Sequence, residues 1–249
     1  MKKYLVALLI IPLLFACKSK PKDEFAVEGI ITGGSGQKVL LQELQAKKVL
    51  PLDSTNLNPE GKFSFFKPLK TRSFFILRIG DKKLILAPDK GDRIRITGSM
   101  TEPSASFGIS GSKDTEIFQE FLRRSAGNKQ KADSLKQVLK DHENMENMMQ
   151  ISQGVDSAFK KVMQSQRDIQ REFILSNPGS LADLLVLNYT IGSQPVLDPI
   201  EDFRLFSQTD SLLQQKYPEN PHVMYHHQRV EALRNTMQIR DLMMKQKKQ

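Results

Sequence analysis

The chain has a single cysteine, Cys17, and four histidines, so thiol and imidazole chemistry is confined to a few positions. A lone cysteine cannot form an internal disulfide or a Cys-x-x-Cys redox pair. His222 and His226 are four residues apart, and in a helix this spacing can place two imidazoles on one metal ion. No third ligand is evident beside them, so we interpret them as part of an ordinary polar helix face. The sequence predicts no catalytic, cofactor or metal site.

Cys17 follows a segment that is typical of a secretory signal peptide. The segment begins with two lysines, continues with an apolar run over residues 4–15 and ends at Ala16. Residues 14–17, Leu-Phe-Ala-Cys, resemble a bacterial lipobox, in which the cysteine is acylated and becomes the first residue of the mature protein. We therefore expect a cleaved signal peptide over residues 1–16 and a lipoprotein whose Cys17 carries the lipid. The alternatives are an uncleaved N-terminal anchor and an ordinary signal peptide.

The net charge of the chain bears on the class of partner that it binds and on its location. The formal net charge is +9, but no segment mixes basic residues with aromatic ones as a single-strand binder does, so we expect no nucleic-acid partner. Anionic lipid headgroups or polyanionic glycans are more plausible partners for a basic exported protein. The linker over residues 17–24 is basic, whereas some Gram-negative lipoproteins carry an acidic surface-export tag there. We expect a cell-envelope location, on the outer membrane and facing the periplasm.

Four serines directly follow an aspartate, and this pattern resembles a periplasmic O-glycosylation motif of some bacteria. The candidate glycosylation sites are Ser54, Ser134, Ser157 and Ser211. The alternative is that Asp and Ser occupy turns and helix starts, where their side chains bond backbone amides. Both hypotheses stay open at the level of the sequence.

Residues 25–100 have the pattern of short strands. Seven apolar or alternating segments are spaced about ten residues apart and are bounded by turn clusters such as residues 33–36 and 58–61. No helical segment interrupts them. This spacing predicts an antiparallel β-sandwich or a partly open barrel.

Residues 112–249 change to helical periodicity and predict an all-α domain of six helices. Ser180, Asp198 and Asn220 are the predicted N-caps of the last three helices. The methionines of the apolar stripes, such as Met145, are predicted to fill the core. The predicted fold class is therefore α+β, with the β-domain first and the helical domain second.

Four short segments, taken together and in order, resemble a known protein family, although each one alone is a weak signal. They are residues 53–54 with 58–65, residues 86–88 with 91–98, residues 109–112, and residues 173–174 with 177–180. In this order they resemble the N-terminal region of thioredoxin-like lipoproteins of certain Gram-negative bacteria. In that family a β-domain of unknown function and a helical segment precede a thioredoxin domain with a Trp-Cys-x-x-Cys site.

The chain departs from that family in its chemistry. It has no tryptophan and no second cysteine, so none of its residues matches a catalytic residue of the family. We expect a non-catalytic binding or scaffold protein with a periplasmic protein partner, in which the β-domain recognises the partner and the basic last helix is a docking surface. The alternatives are an accessory subunit of a thiol-disulfide redox system, working with a separate thioredoxin-like protein, and a truncated relic.

Overall fold

The computed structural model describes residues 23–101 and 107–246. Strands occupy the first part of the described chain and helices the second, which confirms the predicted α+β fold. Cys17, the predicted signal peptide and most of the predicted linker lie outside the described residues. Within the described residues, no helix combines the length and apolar character needed to cross a membrane.

The β region consists of two open four-stranded sheets. The first sheet has the order β4-β1-β7-β8 and the second the order β3-β2-β5-β6. The strands are β1 Glu24–Thr32, β2 Lys38–Leu44, β3 Val49–Asn56, β4 Lys62–Pro68, β5 Phe74–Ile79, β6 Lys82–Leu86, β7 Arg93–Ser99 and β8 Gly108–Ser110.

One strand pair departs from the predicted antiparallel pattern. β1 and β7 run parallel, with Val27 opposite Ile94 and Gly29 opposite Ile96, while the other pairs of both sheets are antiparallel. Parallel neighbours need a long crossover connection, and here that connection contains the whole second sheet and β4. Apolar alternation assigns a face to each residue but carries no information on strand direction, so the sequence could not reveal this pair.

The facing sides of the two sheets share one apolar core. Alternate residues of β1, β2, β4, β5 and β7 point into it, as expected for strands with one buried face. Gly29 leaves room for the ring of Phe63, because a Cβ at this position would lie 2.3 Å from a ring carbon. The buried members of the core are Phe25, Val27, Ile31, Val39, Leu41, Leu57, Phe63, Phe65, Leu69, Phe75, Leu77, Ile79, Leu86, Ile94 and Ile96.

The described part of the helical region contains five helices rather than the predicted six. They are α1 Lys113–Asp141, α2 Met148–Ser176, α3 Asp183–Leu187, α4 Phe203–Lys216 and α5 Pro221–Gln246. A short hairpin of β9 (Thr190–Ile191) and β10 (Gln194–Pro195) follows α3.

The difference in helix number comes from α1, which joins the first two predicted helices. Its apolar stripe is interrupted at Asn128, which is buried and donates hydrogen bonds to Ser165 Oγ (3.1 Å) and Gln166 Oε1 (3.2 Å) of α2. The helix therefore continues through a polar contact that apolar periodicity does not detect. Met145 is half-exposed in the connection between α1 and α2, so the prediction that it fills the core is wrong.

The helices cover the outer face of the second sheet. Phe74 of β5 and Ala87 pack against Leu181, Leu184 and a residue each from α4 and α5. The molecule therefore has three layers, two sheets and one layer of helices. This arrangement brings the loops at one end of the second sheet against the helix ends.

The predicted helix caps are confirmed in part. Asn220 Oδ1 accepts the amide of His222 (2.9 Å) at the start of α5, as predicted. Asp198 Oδ1 accepts the amides of Ile200 and Glu201, so it caps a turn that precedes α4.

Candidate functional site

A network of charged side chains joins the β region to the helices. We call it the junction cluster: Arg72, Asp89, Asp114, Ser180 and Tyr217. Arg72 lies between β4 and β5, Asp89 between β6 and β7, and Asp114 in the first turn of α1. Ser180 precedes α3, and Tyr217 follows the last residue of α4. Segments that are far apart in the sequence therefore meet at this point.

Arg72 is the centre of the junction cluster. Its Nη1 donates to Asp114 Oδ2 (3.0 Å) and to the hydroxyl of Tyr217 (2.7 Å), and its Nη2 pairs with Asp89. The Arg72 carbonyl accepts the side-chain amide of Asn220 (2.8 Å), the cap of α5. A planar guanidinium with several donors suits such a multiple contact. Arg72 therefore ties the β region to the starts of α1 and α5.

The start of α1 is attached to the backbone of the second sheet. Ser112 Oγ donates to the Ala87 carbonyl (3.0 Å), and Thr115 Oγ1 accepts the Ala87 amide (2.8 Å). Gly111 makes the preceding turn with a φ of +92°, and a Cβ there would lie 1.9 Å from the Arg93 carbonyl oxygen. These contacts fix the position of Asp114, which also accepts a hydrogen bond from Ser180 Oγ (2.7 Å).

Two further carboxyl groups near the junction cluster are electrostatically perturbed. Burial raises the pKa of Asp183 to about 8, and the nearby charge of Asp114 adds to this effect. Burial also raises the pKa of Asp92, whose Oδ2 accepts the Asp89 amide (2.8 Å). Asp183 is therefore mostly protonated at neutral pH, which lowers the negative charge next to Asp114.

The junction cluster borders a cavity of about 430 Å³. Two of the four segments that carry the resemblance line it: Ala87 and Asp92 come from the second, and Ser180 is the last residue of the fourth. Ser112, the last residue of the third, reaches this wall through its hydrogen bond to the Ala87 carbonyl. Lys113 and Lys216 also line the cavity. Acidic and basic groups both line the wall, which suits a polar ligand that carries both charges.

A serine and a histidine come close together at a second position. Ser73 Oγ donates to Glu43 Oε1 (3.1 Å) and lies 3.3 Å from His222 Nε2. The Ser73 proton therefore points to the carboxylate rather than to the imidazole, and only 7% of Ser73 is exposed. In a catalytic triad the carboxylate orients the histidine, not the serine. We assign this contact to the attachment of α5 to the second sheet.

The structure separates the two histidines that the sequence analysis weighed as a metal pair. His222 contacts Ser73 and Phe74, whereas His226 is buried with its Nε2 3.3 Å from the Phe206 carbonyl oxygen. Burial lowers the pKa of both imidazoles. Each ring therefore serves helix packing.

The four candidate glycosylation serines are all exposed. Ser54 lies on β3, an edge strand, whereas Ser134, Ser157 and Ser211 lie inside α1, α2 and α4. None of these three occupies a helix start, so the capping alternative does not explain them. Glycosylation at these serines stays a prediction.

The last helix, predicted to be a docking surface, exposes Ile239, Leu242 and Met243 near its end. No pattern in the sequence marks Arg72, Asp114 or Tyr217 as members of a site. The only signal in the sequence was Asp92, which belongs to the segment pair 86–88 and 91–98, whereas Asp89 falls between its two parts. Arg72 and Tyr217 are 145 residues apart, and no local pattern connects them.

Comparison with models of known protein families gives no match, and comparison with curated proteins gives none either.

Proposed function

We propose that this protein is a lipid-anchored binding or scaffold protein of the cell envelope, without catalytic activity of its own, and that a periplasmic protein docks at the cavity beside the junction cluster. Cys17 would hold the lipid, and the outer membrane, facing the periplasm, would be the location. The observation that carries the docking proposal is that two of the four segments that carry the resemblance line one cavity, and that a third is hydrogen-bonded to its wall.

The state of Arg72 supports binding rather than catalysis at this cavity. Both terminal nitrogens of its guanidinium are already bonded, to Asp89, Asp114 and Tyr217. Arg72 therefore stabilises the cavity wall and does not present a free donor to a reacting group. Lys113 lies exposed at the rim, where it is accessible to a partner. Mixed charge at a rim favours specificity and correct orientation of a partner.

The anchor is tested by replacing Cys17 with alanine in cells that express the protein. Labelled palmitate should enter the unaltered protein and not Cys17→Ala, and the variant should leave the membrane fraction. Labelling of Cys17→Ala, or its unchanged membrane association, would contradict the anchor proposal.

The docking surface is tested by photo-crosslinking in intact cells. A photoreactive residue at position 113 should yield a discrete crosslinked product. The matched control is position 140, which is exposed on the same helix but roughly 40 Å away at a rise of 1.5 Å per residue. A second probe at Asn177, also on the cavity wall, should lose its product when Lys113 is changed to glutamate.

The outcomes separate the hypotheses. Equal products at positions 113 and 140, or none at 113 and 177, contradict docking at the cavity. A product that contains a Cys-x-x-Cys protein would support the alternative role as an accessory subunit of a thiol-disulfide redox system.

A further inference from the structure

Three side chains with metal-binding groups lie together outside the junction cluster. Asp210 comes from α4, and His227 and Glu231 come from adjacent turns of α5, four residues apart. One potential ligand atom from each side chain lies within 4.8 Å of the other two. His227 Nδ1 and Asp210 Oδ2 are 2.8 Å apart. The spacing on α5 places both of its groups on the face that packs against α4.

Asp210 is the buried member of this group. Its side chain is only 5% exposed, whereas those of His227 and Glu231 are 44% and 39% exposed. Asp210 Oδ1 is buried and has no hydrogen-bond partner among the described residues. A buried carboxylate oxygen without a partner is costly, and a bound cation removes that cost. This unpaired Oδ1 atom of Asp210 is the observation that points to a bound cation.

The neighbouring charges allow a cation to enter. Glu231 is paired with Arg234 (2.5 Å), but both side chains are about 40% exposed, so this ion pair is weak and can be exchanged. Arg234 Nη2 has a second partner in Ser207 Oγ (3.2 Å) and keeps it when Glu231 turns away. The Asp210 carboxylate stays in place because it is held between the two helices.

We infer that Asp210, His227 and Glu231 form a site for a divalent transition-metal ion, with Zn²⁺ as the best-matched probe. One imidazole nitrogen and two carboxylate oxygens are a ligand set that Zn²⁺ accepts, with water in the remaining position. The exposed sides of His227 and Glu231 leave room for that water. Mg²⁺ and Ca²⁺ prefer sites made of oxygen ligands alone, so the imidazole disfavours them.

The site is tested by calorimetric titration of the purified full chain, made without a histidine tag and freed of metal with a chelator. Zn²⁺ should bind to the unaltered protein with one ion per chain, and Mg²⁺ should give no comparable binding. Co²⁺ should give the strong visible absorption of a low-coordinate site and should be displaced by Zn²⁺.

Two single variants and one control assign the ligands. His227→Gln and Glu231→Gln should each weaken Zn²⁺ binding by about tenfold or more. His142→Gln is the control, because His142 lies at the end of α1 and its imidazole is hydrogen-bonded to the Val138 carbonyl of its own helix. Circular dichroism checks that each variant is folded. Because Glu231 is partly exposed, its variant keeps the test decisive if His227→Gln fails to fold.

Two results would overturn the inference. One is the failure of the unaltered protein to bind Zn²⁺ at one ion per chain. The other is an affinity that stays the same in folded Glu231→Gln or His227→Gln, or that falls equally in His142→Gln.

Discussion

The interiors of the two regions are built from different residues. The core between the sheets is apolar throughout, and Ser73 is the one buried polar residue within residues 23–101. The helical region buries many polar side chains, among them Ser125, Asn128, Gln166, Gln170, Asp183, Asp202, Thr209, Asp210 and His226. The side chains inside the β region are therefore held by apolar burial, which is non-directional, whereas those inside the helical region also form hydrogen bonds, which are directional.

This contrast predicts two kinds of sensitivity. In the β core, stability should depend on volume, because close-packed apolar side chains tolerate no void. In the helical layer, stability should depend on single polar side chains. Removing one of them leaves its buried hydrogen-bond partner unsatisfied. The substitutions below test this contrast, from the largest expected effect to the smallest.

Leu77→Ala should produce the largest loss. Leu77 is fully buried on the central strand β5 and belongs to the core between the sheets. Removing its side chain leaves a cavity, and we expect the free energy of unfolding to fall by about 4 kcal/mol. Urea unfolding followed by circular dichroism measures the change. Leu52→Ala, at an exposed position on the edge strand β3, should change it by less than about 0.5 kcal/mol.

Asp202→Ala should cost nearly as much, although no large side chain is lost. Asp202 is 1% exposed and accepts hydrogen bonds from Arg167 (2.8 Å), from Arg171 Nε (2.9 Å) and from the Asp198 amide (3.0 Å). The substitution leaves two arginines without their buried partner, so we expect a loss of about 3 kcal/mol in the same measurement. A loss below about 1 kcal/mol would mean that solvent replaces the carboxylate, and the contrast between the regions would fail there.

The strands were predictable from the sequence because residues with buried and exposed side chains alternate along them. Phe63 and Phe65 alternate with Lys62 and Ser64, and the predicted segment lies inside β4. The helix boundaries were less predictable, since Asn128 interrupts the apolar stripe of α1 exactly where polar contacts to α2 replace it.

The candidate site was predictable only in part. The segment with Asp92 was singled out, but the ion pair of Asp89 and Arg72 beside it was not. The contact between Arg72 and Asp114 forms only because the helices pack against the second sheet in one orientation. That orientation depends on long-range packing and not on a local sequence pattern. The metal-site residue His227 was passed over for a similar reason, because its partner Asp210 belongs to another helix.

Gln166→Met tests whether hydrogen bonds or volume matter in the helical layer. The side-chain amide of Gln166 is fully buried, donates to Ser125 Oγ (2.8 Å) and accepts from Asn128 Nδ2 (3.2 Å). Methionine has a similar shape but leaves these groups without their partner, so we expect a loss of about 2 kcal/mol. Urea unfolding measures it, and an unchanged midpoint would show that packing, rather than hydrogen bonding, dominates here.

Asp183→Asn tests the buried polar interior through pH. The pKa of Asp183 is about 8 in the folded protein, against 3.8 as the ordinary value, so between these limits the folded state holds a proton that the unfolded state has lost. The unaltered protein should therefore lose stability relative to Asp183→Asn as the pH rises from 6 to 7, by about 1 kcal/mol. Unfolding curves of both proteins across this range measure the difference.

The matched control for the pH experiment is Gln130→Ala, at an exposed position of α1. Its stability difference from the unaltered protein should not change with pH over the same range, because the substitution removes no ionisable group. If the stability difference between Asp183→Asn and the unaltered protein also stayed constant with pH, the pKa of Asp183 would not be raised. Asp183 would then be ionised beside Asp114 at neutral pH.

The smallest effect should come from the exposed ion pair of Lys129 and Asp133 on α1. The two charged groups are 2.7 Å apart, yet both side chains are 63% exposed, and exposed pairs four residues apart on a helix contribute only about 0.3 kcal/mol. Lys129→Ala should therefore change the free energy of unfolding by less than the Gln166→Met substitution, although it removes a full charge. A double-mutant cycle with Asp133→Ala isolates the pair. A coupling close to the loss of about 3 kcal/mol expected for Asp202→Ala would show that charge itself, rather than the burial of polar groups, sets the stability of the helical layer.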